Sequence, residues 1–104
     1  MTTKEKYEFY YDFFSAVTGV TLFPMMGEYV IKYKGKTVGG IYDDRLLVKV
    51  TDTSADFFRA SSRVAPYPGA KEMISVERLS DPISFGRLFD KMHAELPEPK
   101  RGRK

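Results

Sequence analysis

A chain of 104 residues is one domain, long enough to bury a core without covalent staples. It contains no cysteine, which excludes disulfides, thiolate metal sites and cysteine nucleophiles and agrees with a reducing compartment. The net charge of +3 resides entirely in the tail Pro97 to Lys104, where Lys100, Arg101, Arg103 and Lys104 oppose Glu98 alone, so the remaining body is balanced.

The N-terminal residues lead into an aromatic and charged segment with neither a signal-peptide core nor a bilayer-spanning run, so the expectation is a cytoplasmic protein without membrane contact. Lys4 to Val17 places Tyr7, Tyr10, Tyr11, Phe14 and Val17 at helical spacing, which predicts an amphipathic first helix closed by Gly19. Phe23-Pro24 predicts an extended lead-in, because the residue before proline avoids helical backbone. Three strands follow, Tyr29 to Lys34, Thr37 to Tyr42 and Arg45 to Val50, joined by Gly35-Lys36 and Asp43-Asp44. Both linkers have hairpin length, and Gly and Asp tolerate the positive φ that two-residue hairpin turns require.

Beyond the meander, Thr53 is a candidate cap for a short helix over Ser54 to Ala60, with Asp56 in its first turn. Val64 to Tyr67 reads as a fourth strand, short or at an edge because of Pro66 and Pro68, and Lys71 to Leu79 contains a fifth centred on Met73-Ile74-Ser75-Val76. Ser80-Asp81-Pro82 opens a last helix to Leu96, with Phe85, Leu88, Phe89, Met92 and Leu96 on one face and Pro97 as its stop. The predicted fold is α+β and two-layered, an antiparallel sheet of about five strands in the order α-βββ-α-ββ-α. It occupies residues 1–96, and 97–104 read as a disordered basic tail.

Met25-Met26-Gly27-Glu28-Tyr29-Val30-Ile31, the turn at Gly35, and Asp43-Asp44-Arg45-Leu46-Leu47-Val48-Lys49-Val50 together resemble the signature of the TfoX/Sxy N-terminal domain. That signature starts Met-Phe-Gly-Gly-Tyr and closes Asp-Asp-x-Leu-Tyr-Leu-Lys. The likeness runs more loosely through Pro66-Tyr67, Met73 to Arg78 and Asp81-Pro82, and departs from the pattern at Met26, Glu28 and Leu47. It implies a secretion-chaperone-like α+β domain of the kind found in regulators of transformation competence, with no catalytic residues to carry over.

Chemistry-bearing motifs are sparse. His93 is the sole histidine and borders the apolar stripe of the last helix, and Ser80 and Ser84 flank that helix's start without a Gly-x-Ser-x-Gly elbow. Gly35, Gly39 and Gly40 form no phosphate loop, since a strand rather than a helix follows Gly35, and Gly39 and Gly40 sit inside that strand, where they mark a bulge or a close approach. Glu28, Asp43 and Asp44 fall at one sheet end when Tyr29 faces Tyr42, where three carboxylates either hold a divalent cation or serve as solvated turn residues.

Strand alternation puts Tyr29, Ile31, Tyr33, Val38, Tyr42 and Leu47 on one face and Val30, Ile41, Leu46, Val48 and Val50 on the other. A helix layer covers one face only, so Tyr29, Ile31, Tyr33, Tyr42 and Leu47 are candidates for an interface, unless another element covers them. The basic residues Lys100, Arg101, Arg103 and Lys104 are candidates for weak phosphate contact, with solvation as the alternative. The expected function is non-enzymatic and cofactor-free, acting through a protein partner or a homodimer in transcription or competence regulation. The alternatives are a nucleic-acid accessory using the tail and a small metal-dependent enzyme.

Overall fold

The structure, a computed structural model, describes residues 1–98. The tail residues Lys100, Arg101, Arg103 and Lys104 lie outside the described residues. Helix α1 spans Lys4–Phe14, with Thr3 as N-cap accepting from the Lys6 amide and Glu5 in its first turn. It buries Tyr10 and Phe14 and ends before Val17, which stays in the core from the turn that Gly19 closes at a φ of 96°.

Four strands then follow without interruption: β1 Val20–Met25, β2 Glu28–Tyr33, β3 Lys36–Tyr42 and β4 Arg45–Val48. Each connection is a two-residue turn with both residues at positive φ: Met26 and Gly27 at 53° and 87°, Lys34 and Gly35 at 48° and 88°, Asp43 and Asp44 at 53° and 65°. This backbone matches the right-handed twist of the strands it joins. Helix α2 spans Asp52–Phe57, β5 Arg63–Val64, β6 Met73–Val76 and α3 Pro82–Glu95. The strands form one antiparallel sheet in the order β1-β2-β3-β4-β6-β5. The α+β architecture is as expected, with one more strand: the lead-in at Phe23-Pro24 is β1, an edge strand, the position in a sheet where proline is tolerated.

Capping sets the helix limits. Thr51 caps α2, two residues before the expected Thr53, because its hydroxyl and that of Ser54 satisfy each other's backbone amides in a capping box. Asp81 caps α3 through the Ser84 amide at 2.8 Å, with Pro82 at the first helical position. At the other end of α3, the buried Lys36 ammonium donates to the carbonyls of His93 and Leu96 at 2.8 and 2.9 Å, satisfying acceptors that the helix leaves open.

The helices lie on one face of the sheet. Their core contribution centres on Phe14, Phe85 and Phe89, whose rings are 5.7 to 5.8 Å apart. These pack with Leu88 and Met92 against Ile31, Val38, Ile41, Leu46 and Val48. Each such side chain removed from water contributes roughly 1.5–3 kcal/mol.

Register corrects the expected division of faces. The first meander turn is Lys34-Gly35 rather than Gly35-Lys36, so Tyr33 faces Lys36. A bulge at Val38 then shifts the ladder once more, which sets Tyr29 opposite Ile41 rather than Tyr42. Tyr29, Ile31 and Tyr33 consequently share the helix side with Ile41, Leu46 and Val48, while Tyr42 and Leu47 lie on the outer side. The outer side carries its own small core, in which Tyr42, Leu47 and Met73 pack with Val64. Among the described residues no helix is long and apolar enough to cross a membrane.

Candidate interaction site at the hairpin end

Two hairpin tips, Met26-Gly27 and Asp43-Asp44, lie at the same end of the sheet because β1–β2 and β3–β4 turn in the same direction. The N-terminal residues cross this end as a strap. The Thr2 amide donates to the Gly27 carbonyl at 3.0 Å, and the Thr2 hydroxyl donates to Glu28 Oε1 at 2.6 Å. The same carboxylate oxygen accepts the Asp43 amide at 3.0 Å. Asp44 Oδ1 accepts from the Thr3 amide at 2.7 Å, and the Met1 ammonium lies 3.2 Å from Glu28 and 3.3 Å from Asp43.

Burial alone would raise the Glu28 carboxyl, but the hydrogen bonds from Thr2, Asp43 and the N-terminal ammonium outweigh it and hold the group below its ordinary value. Reciprocally, the hydrogen bond to Glu28, then that to Asp43, raises the Met1 ammonium. The three carboxylates that the sequence brings to one sheet end do meet there, as acceptors for the strap. Among the described residues no group of three metal-ligating side chains converges.

The strap presents an apolar surface. Met1 packs against the Gly27 backbone, where a Cβ would come within 3.2 Å of the methionine methyl. On the adjoining hairpin Phe23 is 47 %, Met25 42 % and Met26 98 % exposed. Phe23 pairs with the half-buried Val30 on the outer face, and the Lys32 ammonium lies 5.1 Å from the Phe23 ring centroid. Large apolar side chains contiguous at a rigid hairpin tip mark a contact surface more strongly than the same number scattered, and thioethers adapt to varied partners.

The chain is 36 % identical over 77 residues to a Spirochaeta aurantia protein described as the uncharacterized 12.7 kDa protein in the trpE 5′ region. The match spans 73 % of this chain and 67 % of that protein. The chain belongs to that protein's family. No family model matches the sequence, and no solved structure matches it.

In this member of the spirochaetal protein's family, the residues expected at an interface are occupied internally. Ile31 and Leu47 are fully buried, and Tyr33 is buried with its hydroxyl 3.2 Å from Asp90. Tyr29 is half-buried, its ring stacked on Tyr7 at 4.2 Å. Tyr42 lies over Gly40, and burial raises its phenol. The open tyrosine face is thus corrected: the bulge divides these side chains between the two faces, Val64 and Met73 pack on the outer one at Tyr42 and Leu47, and Phe23 stays exposed there.

His93 Nε2 sits 3.2 Å from the Lys34 carbonyl, and Ser84 caps with Asp81, so both belong to the framework. The surface that sequence reasoning missed is the Phe23, Met25 and Met26 hairpin. Its signal was the Met26-Gly27 dipeptide between two apolar runs, obscured by a methionine at positive φ, which is uncommon outside Gly, Asn and Asp.

Proposed function

We propose that this chain is a non-enzymatic, cytoplasmic protein of the TfoX/Sxy N-terminal kind that acts through protein contacts made by the β1–β2 hairpin. One observation carries the reading: Phe23, Met25 and Met26 form an exposed apolar tip on a hairpin fixed to the neighbouring hairpin by the strap. Of the segments that carry the TfoX resemblance, Met25 to Ile31 and Asp43-Asp44 contribute to this end, while the Gly35 turn lies at the opposite one. A pre-organised apolar surface loses little conformational freedom on docking, so its area converts to affinity more fully than that of a mobile loop. Regulation of transcription or competence is the setting this kind of domain suggests.

The test is a double variant, Phe23→Asp with Met25→Asp, at positions that are exposed in the monomer. Sedimentation and pull-down of the full chain should show association weakened at least tenfold while the circular dichroism spectrum and melting temperature hold. A wild type that is monomeric and retains no partner, or a variant that associates as the wild type does, refutes the reading.

A further inference from the structure

The balanced charge of the body conceals a separation of sign along the strands. Glu28, Asp43 and Asp44 occupy the hairpin end described above. Lys32, Lys34 and Lys36 cluster at the opposite end, around the Lys34-Gly35 turn, and Lys49 follows β4 there. Two adjoining concavities meet at this basic end, sharing Thr37, Lys49, Leu96 and Pro97. The larger, of about 420 Å³, is walled by Tyr67 and Lys71 and floored by Tyr42 and Met73. The smaller, of about 180 Å³, continues to Lys32 and Lys36.

The lysines differ in what they are bound to. Lys36 is committed to the end of α3, whereas Lys32, Lys49 and Lys71 make no ion pair among the described residues. Lys49 and Lys71 are exposed, and the acids on the same rim are Glu72 and Glu98. Tyr67, 56 % exposed, offers a ring at the groove wall.

We infer that this groove binds single-stranded nucleic acid, with Lys32, Lys49 and Lys71 contacting successive phosphates and Tyr67 stacking on a base. A positive channel with an aromatic on its wall is the arrangement that holds a single strand without sequence preference. A duplex presents its phosphates on a convex surface too wide for a concavity of this size. An acidic peptide would satisfy the lysines but leave the tyrosine ring without a stacking partner. The site goes beyond the protein-contact reading: Lys32, 5.1 Å from the Phe23 ring, adjoins both surfaces, but Lys49, Lys71 and Tyr67 belong to the groove alone, so the variants at these three positions test it separately.

Fluorescence anisotropy of labelled oligothymidylate with the full chain tests the assignment. Three phosphate contacts on a single strand give a slope of about −2 in log K against log salt, so affinity should fall about 20-fold between about 50 and 200 mM salt. The double variant Lys49→Glu with Lys71→Glu should bind at least tenfold more weakly. Tyr67→Ala should lose about tenfold for the oligonucleotide and nothing for heparin, which has no base to stack. All three residues are exposed, and an unchanged circular dichroism spectrum confirms that the variants fold. Lack of binding at about 50 mM salt, variants that bind as the wild type does, or equal affinity for polyglutamate would each overturn the assignment.

Discussion

Gly39 lies in mid-sheet, facing Ile31 on β2 and Val48 on β4. A Cβ built there would overlap the Leu47 carbonyl oxygen and stand 3.1 Å from Val48 Cα and 3.3 Å from the Leu47 carbonyl carbon. All three obstacles are backbone atoms of a central strand, so no rotamer change relieves them. Restoring a carbon–oxygen approach of about 3.3 Å requires β4 to retreat by roughly one ångström. That retreat opens the Gly39–Val48 and Gly40–Leu47 pairs, whose hydrogen bonds are worth about 0.5–1.5 kcal/mol each, in addition to about 1–3 kcal/mol of overpacking strain. Gly39→Ala should therefore cost about 2–6 kcal/mol, a large part of the stability of a domain this size. Urea unfolding followed by far-ultraviolet circular dichroism measures it. Gly35→Ala is the control: nothing lies within 4 Å of a Cβ there, and only the positive φ of 88° opposes it, at about 1–2 kcal/mol. A Gly39→Ala protein as stable as the Gly35→Ala protein would refute the close approach of β3 and β4.

Three further outcomes follow from the polar anchors. Lys36→Met removes two charge-assisted hydrogen bonds to the end of α3 and should lower stability by about 2–4 kcal/mol in thermal melts. Lys34→Met breaks an exposed pair with Asp90 and a 5.3 Å approach of the ammonium to the Tyr33 ring, and should stay within about 1 kcal/mol of the wild type. Because the Glu28 carboxyl is depressed in the folded chain, the unfolded chain binds more protons in the acid range. Its contribution is therefore present above the ordinary value of 4.5 and is lost as pH falls through the lower folded value. Urea midpoints measured across that range should decline less steeply for Glu28→Gln than for the wild type.

Elements fixed by local chemistry were legible in the sequence. The β2–β3–β4 meander followed from turn-compatible residues between alternating runs, and α3 from its Asp-Pro start and apolar stripe. Strand β1 was not, because its Met26-Gly27 turn places a methionine where such turns ordinarily take Asn, Asp or Gly. The faces differ for another reason: Gly39-Gly40 marks a bulge or a close approach but does not fix the register, and the bulge at Val38 moves Tyr42 and Leu47 to the outer side. The same limit applied to charge. Counting showed a neutral body, whereas the segregation of Glu28, Asp43 and Asp44 from Lys32 and Lys49 emerges only when register places them at opposite ends.

The three consecutive tight turns also bear on how the chain reaches its structure. From Val20 to Val48 every strand pairs with the one before it across two residues, so loop-closure entropy in this part is as small as a sheet allows. The ladder between β4 and β6 must instead close over the intervening α2 and β5, and α1 docks from the far end of the chain. Substitutions in the meander turns should accordingly slow folding, while those in β6 or α1 should chiefly hasten unfolding. On this ordering the surface proposed to meet partners belongs to the part of the sheet expected to form first, and the groove walled by Tyr67 and Lys71 awaits the docking of β6.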